Sequence, residues 1–391
     1  MIEASKAQGG AARLSYGMVG GGEGAFIGEV HRKAIATDGK AQLVAGSFSR
    51  DSKKTLAAGE SLGVARERLY ETYEEMAKKE AARKDGIDFV VIVTPNHLHF
   101  PIAKAFLESG INVVCDKPLV HSSDQAEELK RLAARKDRLF CVTYTYTGYP
   151  MMKQARRMVA NGDIGDIRFV SAEYLQDWLA TPVENSGSKQ AEWRTDPERS
   201  GIAGCLGDIG THVENAVAYI TGLSIGSVAA RLDTIVSGRR LDDNASIMVR
   251  YANGARGLYW TSQVAVGHDN DLRVRVFGTK GAIEWVQENP NYLKVSHLGR
   301  PGEVLSRGRD KLYPEAAMFS RIPGGHPEGY PEAFSNLYRS FCDALVKKGA
   351  GAKLTAADLD FPGLEAGAAG VKFVEKCVES SRKGAAWTNL E

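Results

Sequence analysis

The sequence predicts an α/β protein of two domains. A doubly wound parallel sheet occupies residues 1–143, and an α+β domain with an open, mostly antiparallel sheet occupies 144–391. Three observations carry this prediction. As far as Thr143, short apolar runs alternate with amphipathic runs of helix length, the pattern of parallel strands joined by helical crossovers. A glycine cluster, Gly20-Gly21-Gly22-Glu23-Gly24, links the first apolar run to the first amphipathic one, where the backbone must turn sharply. After Tyr144 come consecutive strand-like runs joined by tight turns such as Asn253-Gly254 and Thr279-Lys280-Gly281, which read as an antiparallel meander. The length of 391 residues agrees, because single cores stop growing near roughly 250 to 300 residues.

In the first domain the strands are expected at 15–19, 41–48, 89–94, 112–115 and 140–143, where the residues are apolar and flanked by turn formers. The amphipathic runs 28–37, 51–62, 70–84, 100–109 and 123–135 supply the helices between them. The second domain opens with a helix over 150–161 and a strand over 167–176; an irregular polar segment and a glycine-bounded helix over 208–221 follow. Strands then follow at 227–236, 245–251, 255–264, 272–278 and 281–286. Residues 301–329, rich in Gly, Pro and Arg, read as a long surface loop, and helices over 330–347 and 355–381 close the domain.

Composition excludes several classes. The 50 Lys and Arg are interspersed with 48 Asp and Glu, so no basic arm points to a nucleic-acid partner. The five cysteines, Cys115, Cys141, Cys205, Cys342 and Cys377, stand in apolar contexts without C-x-x-C spacing; they read as buried thiols, with neither a disulfide framework nor a metal site. Residues 1–14 are polar and small, without the apolar core of a leader, and no later run approaches a membrane span. A soluble, cytoplasmic protein is expected.

The glycine-rich turn is where a dinucleotide pyrophosphate would sit, against the free N–H groups of a helix N-terminus. Gly20 and Gly22 fit the first two glycines of G-x-G-x-x-G, but Gly28 comes late, as if the loop carried an insertion; Ile27 is the next placement. An acid about twenty residues past such a loop would bind the ribose 2′-hydroxyl of NAD. Here the strand ends in Ser47-Phe48-Ser49-Arg50, and Ser49 with Arg50 can accept the 2′-phosphate of NADP, while adjacent Asp51 keeps NAD open. Further along, Thr94, Asn96 and His99 stand in a turn whose polar groups emerge at the carboxyl edge of the sheet. The next strand ends in Cys115-Asp116-Lys117-Pro118. Lys117 reads either as a partner of Asp116 or as a cationic donor near the nicotinamide that stabilises a developing alkoxide. Asp208 and His212, four apart on a helix, share a face: Asp208 would be held ionised by the helix dipole, and His212, with its near-neutral ordinary pKa, suits a base. The competing reading is an N-cap aspartate and a core histidine.

These motifs together resemble the Gfo/Idh/MocA oxidoreductases, which pair a Rossmann domain with an α/β domain. The resemblance runs from the Gly20 loop through Thr94-Pro95-Asn96-His97, Asp116-Lys117-Pro118, Trp193-Arg194 and Gly207-Asp208-Ile209-Gly210-Thr211-His212 to Glu328-Gly329-Tyr330. It implies a catalytic set of Lys117, Asp208 and His212, with His212 as acid and base. It also implies Trp193 and Arg194 near the cofactor, Asp116 in place of the usual glutamate, and a sugar or cyclitol carbinol as hydride donor. Substrate contacts are sought at Tyr144, Tyr146, Gln176, Asp177 and His326, where aromatic, amide and carboxylate groups suit a polyhydroxylated ring. The tyrosines equally fit a core edge, and a loop histidine such as His326 equally fits an exposed position.

The expected function is an NAD- or NADP-dependent dehydrogenase of a sugar, sugar derivative or inositol. An alternative on the same scaffold is an NAD-dependent glycosidase that oxidises the ring transiently, eliminates the aglycone and reduces again, with Tyr144 or Tyr146 as second base. A cofactor-sensing regulator is a third; retention of the lysine and histidine counts against it. An apolar face on the second sheet leads us to expect a homo-oligomer, a dimer or tetramer.

Overall fold

The computed structural model describes residues 13–309 and 312–390. The segment expected to carry no leader lies almost wholly outside them.

Strands β1 (Leu14–Gly20), β2 (Ala41–Ser47), β3 (Phe89–Val93), β4 (Asn112–Cys115) and β5 (Phe140–Val142) form one parallel sheet in the order β2-β1-β3-β4-β5. Helices α1 (Phe26–Thr37), α2 (Ser52–Ser61), α3 (Tyr73–Ala82), α4 (His99–Glu108) and α5 (Ser123–Lys136) make the crossovers. Every residue of β3, Phe-Val-Val-Ile-Val, is buried, as expected where helices cover both faces. The strand order reverses between β1 and β3, which opens a crevice at the carboxyl edge.

The second domain begins with α6 (Pro150–Ala160) and β6 (Ile167–Leu175), followed by α7 (Lys189–Arg194), α8 (Pro197–Ser200) and α9 (Thr211–Thr221). Strands β7 (Ile225–Asp233), β8 (Asn244–Tyr251), β9 (Arg256–Ser262), β10 (Asp271–Gly278), β11 (Gly281–Val286), β12 (Tyr292–His297) and β13 (Glu303–Ser306) follow. The helices α10 (Pro314–Ala317), α11 (Tyr330–Gly349) and α12 (Leu364–Arg382) and the short strand β14 (Thr388–Asn389) complete the chain.

The meander expectation needs correction. The nine strands are ordered β13-β12-β11-β10-β6-β9-β8-β7-β14, with β6 antiparallel to β10 but parallel to β9. The long helical excursion after β6 returns the chain so that the first strand sits centrally, where Val170, Ala172 and Tyr174 are buried. Residues 301–329 are likewise not all loop, since β13 pairs with β12 and α10 adds a helical turn. The last helix starts at Leu364 rather than 355, just past Pro362 and Gly363.

The sheet shows the alternation of a surface covered on one side only: in β8, Ala245, Ile247, Val249 and Tyr251 are buried while Ser246, Met248 and Arg250 are exposed. The outer face bears Met248, Leu258 and Trp260, each exposed by 42% or more. Helix α11 does not stay with this sheet. Its Phe334, Leu337, Tyr338 and Phe341 join Tyr16, Met18 and Phe89 of the first sheet in one core. The five cysteines are buried and free, and no described helix is long and apolar enough to cross a membrane.

Glu214 of α9 is buried with Oε2 unpartnered, and burial pushes its carboxyl up to about 8. In the unfolded chain it ionises near 4.5, so stability is fully present below that pH and is lost as pH rises toward 8. Glu214→Gln is expected to raise Tm by a few degrees near neutral pH. Thermal melts should show this gain shrinking to nothing below pH 4.5.

Candidate active site

The carboxyl ends of β1, β3 and β4 open onto a cavity of 1890 Å³ walled on its far side by the second domain. At one end the glycine turn is as tight as its sequence requires. Gly20 has φ +82, and a Cβ on it would lie 2.7 Å from the Val93 carbonyl oxygen. A Cβ on Gly28 would lie 2.5 Å from Gly21 Cα, so α1 starts flush against the loop. No side chain caps α1 at Ala25, and Ala25, Phe26 and Ile27 line the cavity, leaving first-turn N–H groups for an anion. This cradle fits a dinucleotide pyrophosphate. Gly20, Gly22, Ile27, Ser49, Arg50, Thr94 and Asn96 all line the same cavity, as do Lys54 and His97. Asp51 is occupied elsewhere: its Oδ1 caps α2 by accepting from the Lys53 and Lys54 amides at 2.9 and 3.4 Å.

Lys117, Asp208 and His212 meet at the other end. Lys117 Nζ donates to Asp208 Oδ1 and to the Asp208 carbonyl oxygen, both at 2.6 Å, so its partner is not Asp116. Asp208 Oδ2 accepts from Arg194 Nε at 3.2 Å and Gln263 Nε2 at 2.9 Å. The predicted helix over 208–221 is split here, with a single π turn (Leu206–Gly210) carrying Asp208 ahead of α9. Burial would raise the Asp208 carboxyl, but Lys117 and then Arg194 hold it well below the usual carboxylate range. Those two cations, rather than a helix dipole, keep it ionised. Burial and the nearby Lys117 charge push His212 well below its ordinary 6.5, so its ring is neutral near pH 7. His212 lies against Tyr146, Tyr144 and Tyr174, at ring-centroid distances of 4.7, 5.8 and 6.0 Å. Its Nδ1 is buried without a partner among the described residues, and the ring edge faces the cavity.

Polar groups continue round the wall. Gln263 Nε2 also donates to Gln176 Oε1 at 3.3 Å, Gln176 Nε2 to Asn270 Oδ1 at 2.7 Å, and Tyr174 Oη to the same oxygen at 3.2 Å. Tyr146 Oη lies 2.5 Å from Tyr174 Oη. The Arg194 guanidinium lies 4.2 Å from the centre of the Trp193 ring, and both side chains line the cavity.

Four residues sought at this site lie elsewhere. His99 is fully buried, its two nitrogens held by the Pro118 and Thr94 carbonyl oxygens at 2.8 and 2.9 Å; His97 lines the cavity instead. Tyr144 is turned into the core, its hydroxyl 2.6 Å from Thr211 Oγ1. Asp177 accepts from the Gly267 amide at 3.0 Å, outside the cavity. His326 is exposed on a loop folded by Arg307, which reaches the Ile322 and His326 carbonyl oxygens and forms a buried pair with Glu328. Residues that sequence reasoning missed are Tyr174, Gln263 and Asn270, strand-end polar groups whose facing depends on the position of β6.

Comparison with known proteins agrees with this architecture. Residues 14–144 match the model of an oxidoreductase family with an NAD-binding Rossmann fold, and residues 152–284 match the GFO/IDH/MocA C-terminal domain. An uncharacterised oxidoreductase of Bacillus subtilis is 37% identical over 97% of each chain. An inositol dehydrogenase homologue from Azotobacter vinelandii, solved with NADH and myo-inositol, is similar at a TM-score of 0.90 and 37% identity, covering 97% of this chain and 98% of that one. Levoglucosan dehydrogenase of Pseudarthrobacter phenanthrenivorans is 29% identical over 72% of this chain and 76% of its own.

Asp208→Asn removes the charge that Lys117 and Arg194 share. Breaking a largely buried pair from one side is expected to lower unfolding free energy by on the order of 3 kcal/mol, readable in denaturant titration.

Proposed function

Because the chain belongs to the GFO/IDH/MocA oxidoreductases, we propose that it oxidises one carbinol of a neutral, unphosphorylated sugar or cyclitol with NAD or NADP. The observation that carries this reading is the convergence of Lys117, Asp208 and His212 at the end of the cavity lined by Tyr146, Tyr174, Gln176 and Asn270. Both cations at that end, Lys117 and Arg194, are already committed to Asp208. Neither is left free to meet a phosphorylated or carboxylated substrate, while the hydroxyl and amide rim suits neutral hydroxyls.

A bound nicotinamide supplies the hydride acceptor. Lys117 orients the reacting hydroxyl and stabilises the oxygen as negative charge develops. Neutral His212 takes the hydroxyl proton on its cavity-facing edge, and returns it in the reductive direction. Asp208 holds Lys117 in place and balances its charge, with Gln263 and Arg194 fixing the carboxylate in turn. The rings of Tyr146 and Tyr174 exclude water from one side of the imidazole. Arg50 and Lys54 at the opposite end admit a 2′-phosphate, whereas Glu71 and Glu74 nearby suit an unphosphorylated ribose.

Nothing at the site favours the hydrolytic alternative. Tyr144 is buried against Thr211, and burial drives the Tyr146 hydroxyl far above its ordinary value, which keeps it protonated and so without a lone base to offer. The apolar outer face of the second sheet supports assembly into a dimer or tetramer.

The test is to mix the protein with NAD or NADP and a panel of inositols, free sugars, sugar phosphates and chromogenic glycosides. Reduced nicotinamide and released aglycone are followed together. Nicotinamide reduction with a neutral polyol is expected, and Lys117→Ala should abolish it while the protein still binds cofactor. Unchanged turnover in that variant would remove Lys117 from the mechanism. Aglycone release without net reduction would replace the dehydrogenase reading with the glycosidase.

A further inference from the structure

We propose that Asp116, oriented by a buried chain from Tyr338 through His31, is a specificity-determining residue that favours the oxidised, cationic nicotinamide over the reduced, neutral one. The proposal rests on the nicotinamide-dependent reading above and names a property of the same site.

Asp116 directly follows β4 and lines the cavity beside Lys117. In a doubly wound sheet the dinucleotide spans the switch point, with the adenosine half toward β2 and the nicotinamide half toward β4. Yet Asp116 has no ion pair with its neighbour, since Lys117 Nζ turns to Asp208. Asp116 Oδ1 instead accepts from Thr143 Oγ1 at 2.6 Å and from His31 Nε2 at 3.0 Å. His31, in the second turn of α1, is wholly buried. Its Nδ1 lies 2.5 Å from the Tyr338 hydroxyl of α11, and its ring packs edgewise on Phe334 and Tyr338.

Counting hydrogens sets the direction of this chain. An ionised carboxylate only accepts, so His31 Nε2 carries a hydrogen toward it. Nδ1 can then accept from the Tyr338 hydroxyl, and each donor meets one acceptor without a second proton on the ring. Burial works to raise the Asp116 carboxyl, while the hydrogen bonds that it accepts from His31 and Thr143 pull it down and keep the group ionised. The assembly therefore places one anion, held through hydrogen bonds, at the nicotinamide end.

Charge balance indicates what that anion does. Lys117 and Arg194 against Asp208 alone leave one net positive charge. That surplus would oppose an oxidised nicotinamide ring, which is itself cationic. Asp116, next to Lys117 in the chain and lining the same cavity, cancels it. The reduced ring is neutral and gains little from it. Side chains from three separate segments hold the one carboxylate, His31 of α1 and Thr143 just past β5 directly and Tyr338 of α11 through His31.

Equilibrium binding of NAD+ and of NADH, measured by calorimetry without substrate, tests the assignment. Asp116→Asn is expected to weaken NAD+ by about tenfold and NADH by less than about threefold, so the ratio of the two dissociation constants shifts. Tyr338→Phe, which leaves His31 Nδ1 without its donor but keeps the ring in the core, should shift the ratio the same way by about threefold. Equal weakening of both forms would reduce Asp116 to a structural role and overturn the proposal, as would an unchanged ratio in folded Asp116→Asn protein. If the wild-type protein bound neither form, the nicotinamide reading itself would fall, an outcome distinct from an unshifted ratio.

Discussion

The site depends on one interaction, the double contact from Lys117 Nζ to the carboxylate and the carbonyl of Asp208 at 2.6 Å. It ties the end of β4 in the first sheet to the turn ahead of α9 in the second domain. A charge this shielded is costly unless paired, so the pair constrains how the two domains can sit. Arg194 and Gln263 close on the other carboxylate oxygen, and through Gln263 the constraint reaches Gln176 and Asn270. Groups from the first sheet and from the second domain are thus one hydrogen-bonded frame, and His212 lines the same cavity.

Local structure serves this geometry. Asp208 lies in a π turn, a form in which one extra residue widens the helix and aims a side chain aside. Gly207 and Gly210 flank it, and a Cβ on Gly210 would meet Leu206 Cδ1 at 2.6 Å. Helix α11, though late in sequence, returns to pack Phe334 and Tyr338 on the first sheet and brings a partner for His31. Helix α11 therefore buttresses the cavity from behind while the second sheet walls it in front.

Much of this was legible in the sequence where physics is local. The burial of β3 follows from its run of five apolar residues, and the start of α1 follows from glycines that permit close approach. Lys117 is marked by its place between an apolar strand and a proline, and Asp208 and His212 by spacing. Whatever turns on side-chain direction was hidden. His97 and His99 differ by two residues in one turn, and only the packing of α4 decides which faces the cavity. Tyr144 and Tyr146 differ in the same way, and Asp51 could have faced a ribose had it not capped α2. The central seat of β6 comes from a connection of some fifty residues, which no local pattern encodes, and with it went Tyr174, Gln263 and Asn270. The His31 to Asp116 bridge spans 85 residues and the Tyr338 link spans 307, so neither has a local signature.

The central claim is that Lys117 and His212 share one substrate oxygen. A structure of the protein with NADH and a neutral polyol, myo-inositol first, tests it most directly. One ring hydroxyl is expected within about 3 Å of both Lys117 Nζ and the cavity-facing nitrogen of His212, its neighbours held by Gln176 and Asn270. A polyol bound only along the Gln176 and Asn270 rim, with no oxygen reaching Lys117 or His212, would contradict it.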